Sequence, residues 1–136
     1  MTRIRTLIAT LVGVPLLALA LTTAPASATT PPGSIQIYNQ VQLVSSLPGR
    51  LTVTITYNCS PAADGTTTGL IQAVVEQNGN GANGTSVATC DDRSHTTAVD
   101  TTGIGPFAPG AAGAAAGVQN IDATSFAFDS RGVMIR

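Results

Sequence analysis

The sequence has no tryptophan and no lysine, only two cysteines and one histidine, and a single long apolar run that lies at its start. Each scarcity removes a class of function. With arginine only at positions 3, 5, 50, 93, 131 and 136, the chain has no basic stripe to neutralise nucleic-acid phosphates or to hold an anionic lipid surface. Two cysteines, one histidine and no C-x-x-C leave no clustered ligand set for zinc. Two tyrosines and three phenylalanines must mostly serve a core, which leaves few rings for an exposed sugar-binding platform.

The apolar run itself has a clear setting. Thr2-Arg3-Ile4-Arg5 is a short basic segment, Leu7 to Leu21 is apolar, and Ala26-Ser27-Ala28 is a small-residue cleavage site, which in that order read as a secretory signal peptide. The run is shorter than the roughly 20 residues a membrane-spanning helix needs. Arg3 and Arg5 are not adjacent, which argues against twin-arginine export, and no cysteine follows the cleavage site to take a lipid. The expectation is a signal peptide over 1–28 and one secreted domain over 29–136, with no membrane attachment after cleavage. That domain carries four Arg and seven acids, a formal charge of 4 − 7 = −3.

What is present is β pattern. Leu51, Val53, Ile55, Tyr57 and Cys59 alternate with Thr52, Thr54, Thr56 and Asn58, so one face of this segment is apolar and the other hydroxylated, as on a half-buried strand. Cys59 closes the apolar face. In an exported chain its simplest partner is the other cysteine, Cys90. Ile35, Ile37, Val41 and Leu43 outline a strand before it, joined through the turn signal Pro48-Gly49.

Ile71, Ala73 and Val75 face inward on a third strand, with Gln72, Val74 and Glu76 outward. Asn78 to Gly84 holds three Asn-Gly pairs and reads as a loose tip. Thr85 to Asp91 is a fourth strand bringing Ala88 and Cys90 inward, and His95 to Thr101 a fifth carrying Thr97, Val99 and Thr101. Gly103 to Gly117 leaves strand, loop and partial helix open, since its glycines and prolines break any long helix. Within it, Ala112 to Gln119 is read as a sixth strand. Ser125 to Asp129 is a connector or short strand, and Val133 to Arg136 closes the chain. About seven short strands with frequent turn signals indicate an all-β sandwich.

Several segments carry a resemblance: Tyr57-Asn58-Cys59, Val74-Val75-Glu76-Gln77, Thr89-Cys90-Asp91, His95, Phe107-Ala108-Pro109-Gly110-Ala111 and Arg131-Gly132-Val133. Together they resemble small secreted actinobacterial proteins of immunoglobulin-like type, over most of the mature domain. The resemblance implies an immunoglobulin-like β-sandwich and an extracellular location, with no activity to transfer. Asp92 stands where a glycine commonly follows the Cys-Asp pair, and the buried tryptophan of a true antibody-type domain is missing.

The residues offer little chemistry. A Ser-His-Asp site would draft Ser94, His95 and one of Asp91, Asp92 or Asp100, but adjacent strand residues point to opposite faces, so Ser94 and His95 cannot share a hydrogen bond. Asp91, Asp92 and Asp129 are the carboxylates a calcium ion would recruit; without a D-x-D-x-D-G run they read as solvated acids, and no metal or other cofactor is expected. Tyr38, on the polar face of the first strand, and Phe107, Phe126 and Phe128 are the candidate ligand-binding rings.

The expected function is therefore non-catalytic: an extracellular binding module, more readily monomeric, for a protein, a surface polymer or a small molecule. The alternative is a small-molecule carrier resembling the antitumour chromoprotein apoproteins, although those use two disulfides and an open cleft. A cleft lined by Phe107, Phe126 and Phe128 would favour the carrier, and a flat exposed apolar patch the binder.

Overall fold

In the computed structural model, which describes residues 33–136, Leu51, Val53, Ile55, Tyr57 and Cys59 are all buried. They form the inner edge of β2 (Gly49–Cys59), as their alternation requires. Around it run β1 (Gly33–Ser45), β3 (Thr68–Gln77), β4 (Asn80–Thr89), β5 (His95–Gly103), β6 (Gly110–Asn120) and β7 (Phe126–Ile135). The signal peptide assigned to 1–28 lies outside the described residues.

The seven strands hydrogen-bond in the order β1-β2-β5-β4-β3-β6-β7 and close into a barrel, where a two-sheet sandwich was expected. Two seams of very different strength from the rest explain the closure. β4 meets β5 through only Ala82↔Gly103 and Asn83↔Thr102, and β1 meets β7, in parallel, through only Gln40↔Met134 and Val41↔Ile135. Between the seams a three-stranded wall, β1-β2-β5, faces a four-stranded wall, β4-β3-β6-β7.

A bulge makes the second seam. Ile37 pairs with Ile55 and Val41 with Val53, so Tyr38, Asn39 and Gln40 stand opposite Thr54 alone, and the extra residues swing β1 across to β7. The first seam depends on glycine. A Cβ at Gly84 would run into the carbonyl of Asp100, and one at Gly103 into that of Gly81, so β4 and β5 approach only because both side chains are missing.

The structure corrects two local expectations. Asn78 and Gly79 take φ values of 53° and 84°, a tight two-residue hairpin, so the supposed loose tip is one defined turn and β4 begins at Asn80. Residues 126–135 form one continuous strand in place of a connector and a separate closing strand. Its alternation is hidden in the sequence because Asp129 and Arg131 occupy inward positions at the β1 seam. The sixth strand read over Ala112 to Gln119 is present as part of β6, and a loop precedes it after Gly103.

Each end of the barrel is closed differently. At one end, Phe107 is fully buried against Gly49, its backbone N–H donates to the Ser46 carbonyl at 3.2 Å, and the buried Gln77 amide holds Ala108 from both sides. At the other, the Cys59–Cys90 disulfide, with Cα atoms 4.6 Å apart, ties β2 to the strand end of β4. There Tyr57 Oη accepts the Thr89 N–H at 2.9 Å, and the fully buried Asn120 donates to the carbonyls of Ser60 and Pro61. Closing 31 residues of sequence separation is worth about 3–4 kcal/mol on the chain-entropy model. Replacing both cysteines by alanine is therefore expected to lower stability by that amount in denaturant titrations, and an unchanged midpoint would contradict it.

Candidate functional site

The acids and rings proposed from sequence do not converge. His95 Nε2 lies 2.7 Å from Asp91 Oδ1 and its ring stacks on Tyr57 with centroids 5.6 Å apart. Asp100, five residues further along β5 and about 17 Å away by strand rise, takes a hydrogen bond from Thr52. Asp92 accepts from Ser60 Oγ, beside the disulfide. Asp129 is elsewhere: its Oδ2 accepts the Ile37 N–H, freed by the bulge, and the Arg131 Nε–H, both at 2.9 Å. Since Ile37 pairs with Ile55 and Asp92 bonds to Cys59, about 13 Å of β2 separates Asp129 from Asp91 and Asp92. Among the described residues no three His, Cys, Asp or Glu side chains are grouped to hold a metal.

The rings also part company. Phe107 plugs the barrel end, whereas Phe126 and Phe128 lie on β7, Phe128 half exposed, so the three line no common cleft. Tyr38, also half exposed, borders an open hollow of about 350 Å³ at the bulge with Asn39, Gln40 and Arg131. That hollow is polar and shallow, and it sits on the seam.

A different surface stands out once the register is known. Side chains of the four-stranded wall that point away from the barrel interior form rows across it. One row reads Gly81, Glu76, Gly113, Gly132; the next Asn83, Val74, Ala115, Ser130; the next Thr85, Gln72, Gly117, Phe128; and the last Val87, Leu70, Gln119, Phe126. The middle of this face carries small residues and is closed to solvent, with Val74 5% and Ala115 0% exposed. Its margins are apolar, with Val87, Leu70, Phe128 and Met134 exposed.

Glu76 is the only ionisable group on this face. Expected to be solvated, it is instead 2% exposed, and both carboxylate oxygens lack a hydrogen-bond partner, as does Gln119 Oε1 about 20 Å along the strands. Glycines on either side give it no neighbouring side chain to bond. Sequence pattern could place Glu76 outward, but only the register shows that it stands in a row of glycines.

Loss of water pushes the Glu76 carboxyl above its ordinary value of 4.5, because burial penalises the charged form. The stability that comes with its protonated form is complete below 4.5 and is lost as pH rises through the raised folded value. Three acids act oppositely. Asp91, held by the His95 hydrogen bond, Asp64, held by Thr66, and Asp122, held by the Ala63 N–H, all lie below their ordinary 3.8. Their contribution is present above 3.8 and disappears as pH falls through the lowered values. Melting temperature should thus peak on the acid side of neutrality. Glu76→Gln should remove the decline toward neutral pH and leave the acid limb; a mutant profile that overlays the wild type would contradict this.

The disulfide is of the kind that persists in oxidising compartments, and among the described residues no helix is long and apolar enough to cross a membrane. No protein-family model and no curated protein matches the chain.

Proposed function

We propose that the protein is a secreted, non-catalytic binding module whose working surface is the outer face of β4-β3-β6-β7. One observation carries this reading: the outer face of β4-β3-β6-β7 is built of small and apolar residues, with Val87, Leu70, Phe128 and Met134 exposed along its margins. Solvent-facing strand positions are ordinarily filled by hydroxylated or charged residues, as on β2, where Thr52, Thr54 and Thr56 face outward. Their replacement here by small and apolar residues suits a surface that is covered in use.

The domain is proposed to be an immunoglobulin-like sandwich, its three- and four-stranded walls being the two sheets and its two-pair seams the places where their edges touch. Export through a cleaved signal peptide over 1–28 is consistent with the disulfide. The carrier reading loses the three-phenylalanine cleft, since Phe107 is buried at the barrel end and Phe126 and Phe128 lie on β7. Native mass spectrometry of protein from its own culture medium tests the function directly. A retained ligand or partner mass is expected, and a bare chain that captures nothing from that medium would contradict binding.

A further inference from the structure

In place of the monomer that the sequence suggests, we infer that two copies of this chain pair through the free edge of β4, antiparallel, so that their four-stranded walls join into one sheet. The inference concerns assembly and does not depend on the binding role proposed above. β4 pairs along its whole length with β3 but meets β5 only at Ala82 and Asn83. The phase of the ladder shows which groups are left over. Cys90 N–H donates to the Thr67 carbonyl, on the β3 side, whereas Thr89 N–H points the other way, to Tyr57 Oη, and Asn83 faces β5. Backbone groups alternate in direction along a strand, so Thr85 and Val87, between the Asn83 pair and the Tyr57 cap, turn their N–H and C=O groups out of the sheet. No strand lies opposite them. Such a row is a template for another strand.

The other free edges of the barrel carry the devices that discourage pairing, and β4 carries none. The open row of β5 holds the exposed Asp100 and follows the charged loop Asp91-Asp92-Arg93. The opening between β1 and β7 is filled by Asp129, which takes the Ile37 N–H, and by Arg131, which reaches Asn39. From Asn80 to Thr89, β4 has no charge, no proline and no bulge, and Val87 is 70% exposed.

The occupant follows from length and charge. The open row is so short that its partner must bring an equally short, unguarded row, and β4 of a second copy is one. A two-fold axis at Ser86 sets Thr85 of one copy against Val87 of the other, so that every outward N–H meets a C=O. The same axis carries the Asp91-Asp92 loops of the two copies to opposite ends, about 33 Å apart by strand rise, where a parallel pairing would set those acids side by side.

Sedimentation velocity of protein recovered from culture medium, over about 1–500 µM, reads the assembly. So short a ladder makes a weak dimer, half-formed at about 10–100 µM. Val87→Lys, which brings like charges together across the axis, should weaken the dimer at least about tenfold and leave the melting temperature of dilute protein unchanged. Val87→Pro, which removes an outward N–H that β3 does not use, should do the same to the dimer; should it fail to fold, Val87→Lys still decides. In the wild-type protein the Thr85 and Val87 amides should exchange more slowly as concentration rises, and the Ala98 amide on the facing edge of β5 should not. A chain that stays monomeric throughout, a dimer that survives Val87→Lys, or Thr85 and Val87 amides that exchange equally fast at both ends of the range would overturn the pairing.

Discussion

A chain ending at Arg131 is expected to be recovered insoluble or degraded. The five residues removed carry Val133 and Ile135, 4% and 1% exposed, each worth about 1.5–3 kcal/mol of apolar burial. They also carry the closure of the barrel. Gln40↔Met134 and Val41↔Ile135 are the whole β1–β7 ladder, continued only by Leu43 N–H to the Arg136 carbonyl at 2.7 Å and Arg136 N–H to the Val41 carbonyl at 2.9 Å. On the other side, Gly110 to Gly113 of β6 lose their partners. Two strands are thus left with unpaired backbone, a template for pairing with other copies. The combined loss approaches the stability of about 5–15 kcal/mol typical of a domain. A soluble, cooperatively melting truncated protein would show that the barrel closes without β7's end.

The second large effect is expected of Ile55→Asp. Ile55 is fully buried in the middle of β2, between Ile37 and Thr97, where a carboxylate has no partner and costs several kcal/mol or unfolds the strand locally. Thr54→Asp, one residue away, places the same group on the outer face beside Ala98 and should cost about 1 kcal/mol or less. Equal losses in thermal melts would mean that the alternation of β2 does not set the inside of the barrel.

Those two positions show what the sequence makes legible. On β2 every second residue is apolar because one face is core and the other water, so strand, inward face and the Cys59–Cys90 bond all follow from local pattern. Pattern fails where tertiary contact replaces water. β7 looks divided in the sequence because Asp129 and Arg131 point toward the seam, where the bulge of β1 gives them an N–H and Asn39 to bind. The Asn-Gly pairs read locally as one tip, since nothing local shows that Gly84 is there to let β5 approach. Phe107 reads in sequence as a cleft residue, and only the long-range packing against Gly49 reveals it as a plug. The Glu76 surface is the extreme case. Gly81, Glu76, Gly113 and Gly132 are scattered over more than fifty residues and become one row only through three registers.

The claim that this row lies in the working surface is tested most directly by amide chemical-shift mapping of the isotope-labelled protein, titrated with the low-molecular-weight fraction of its own culture medium. Perturbations are predicted to gather at Glu76, Gly81, Gly113, Gly117 and Phe128. Perturbations confined to the hollow beside Tyr38, or to the His95–Asp91 end, would contradict it.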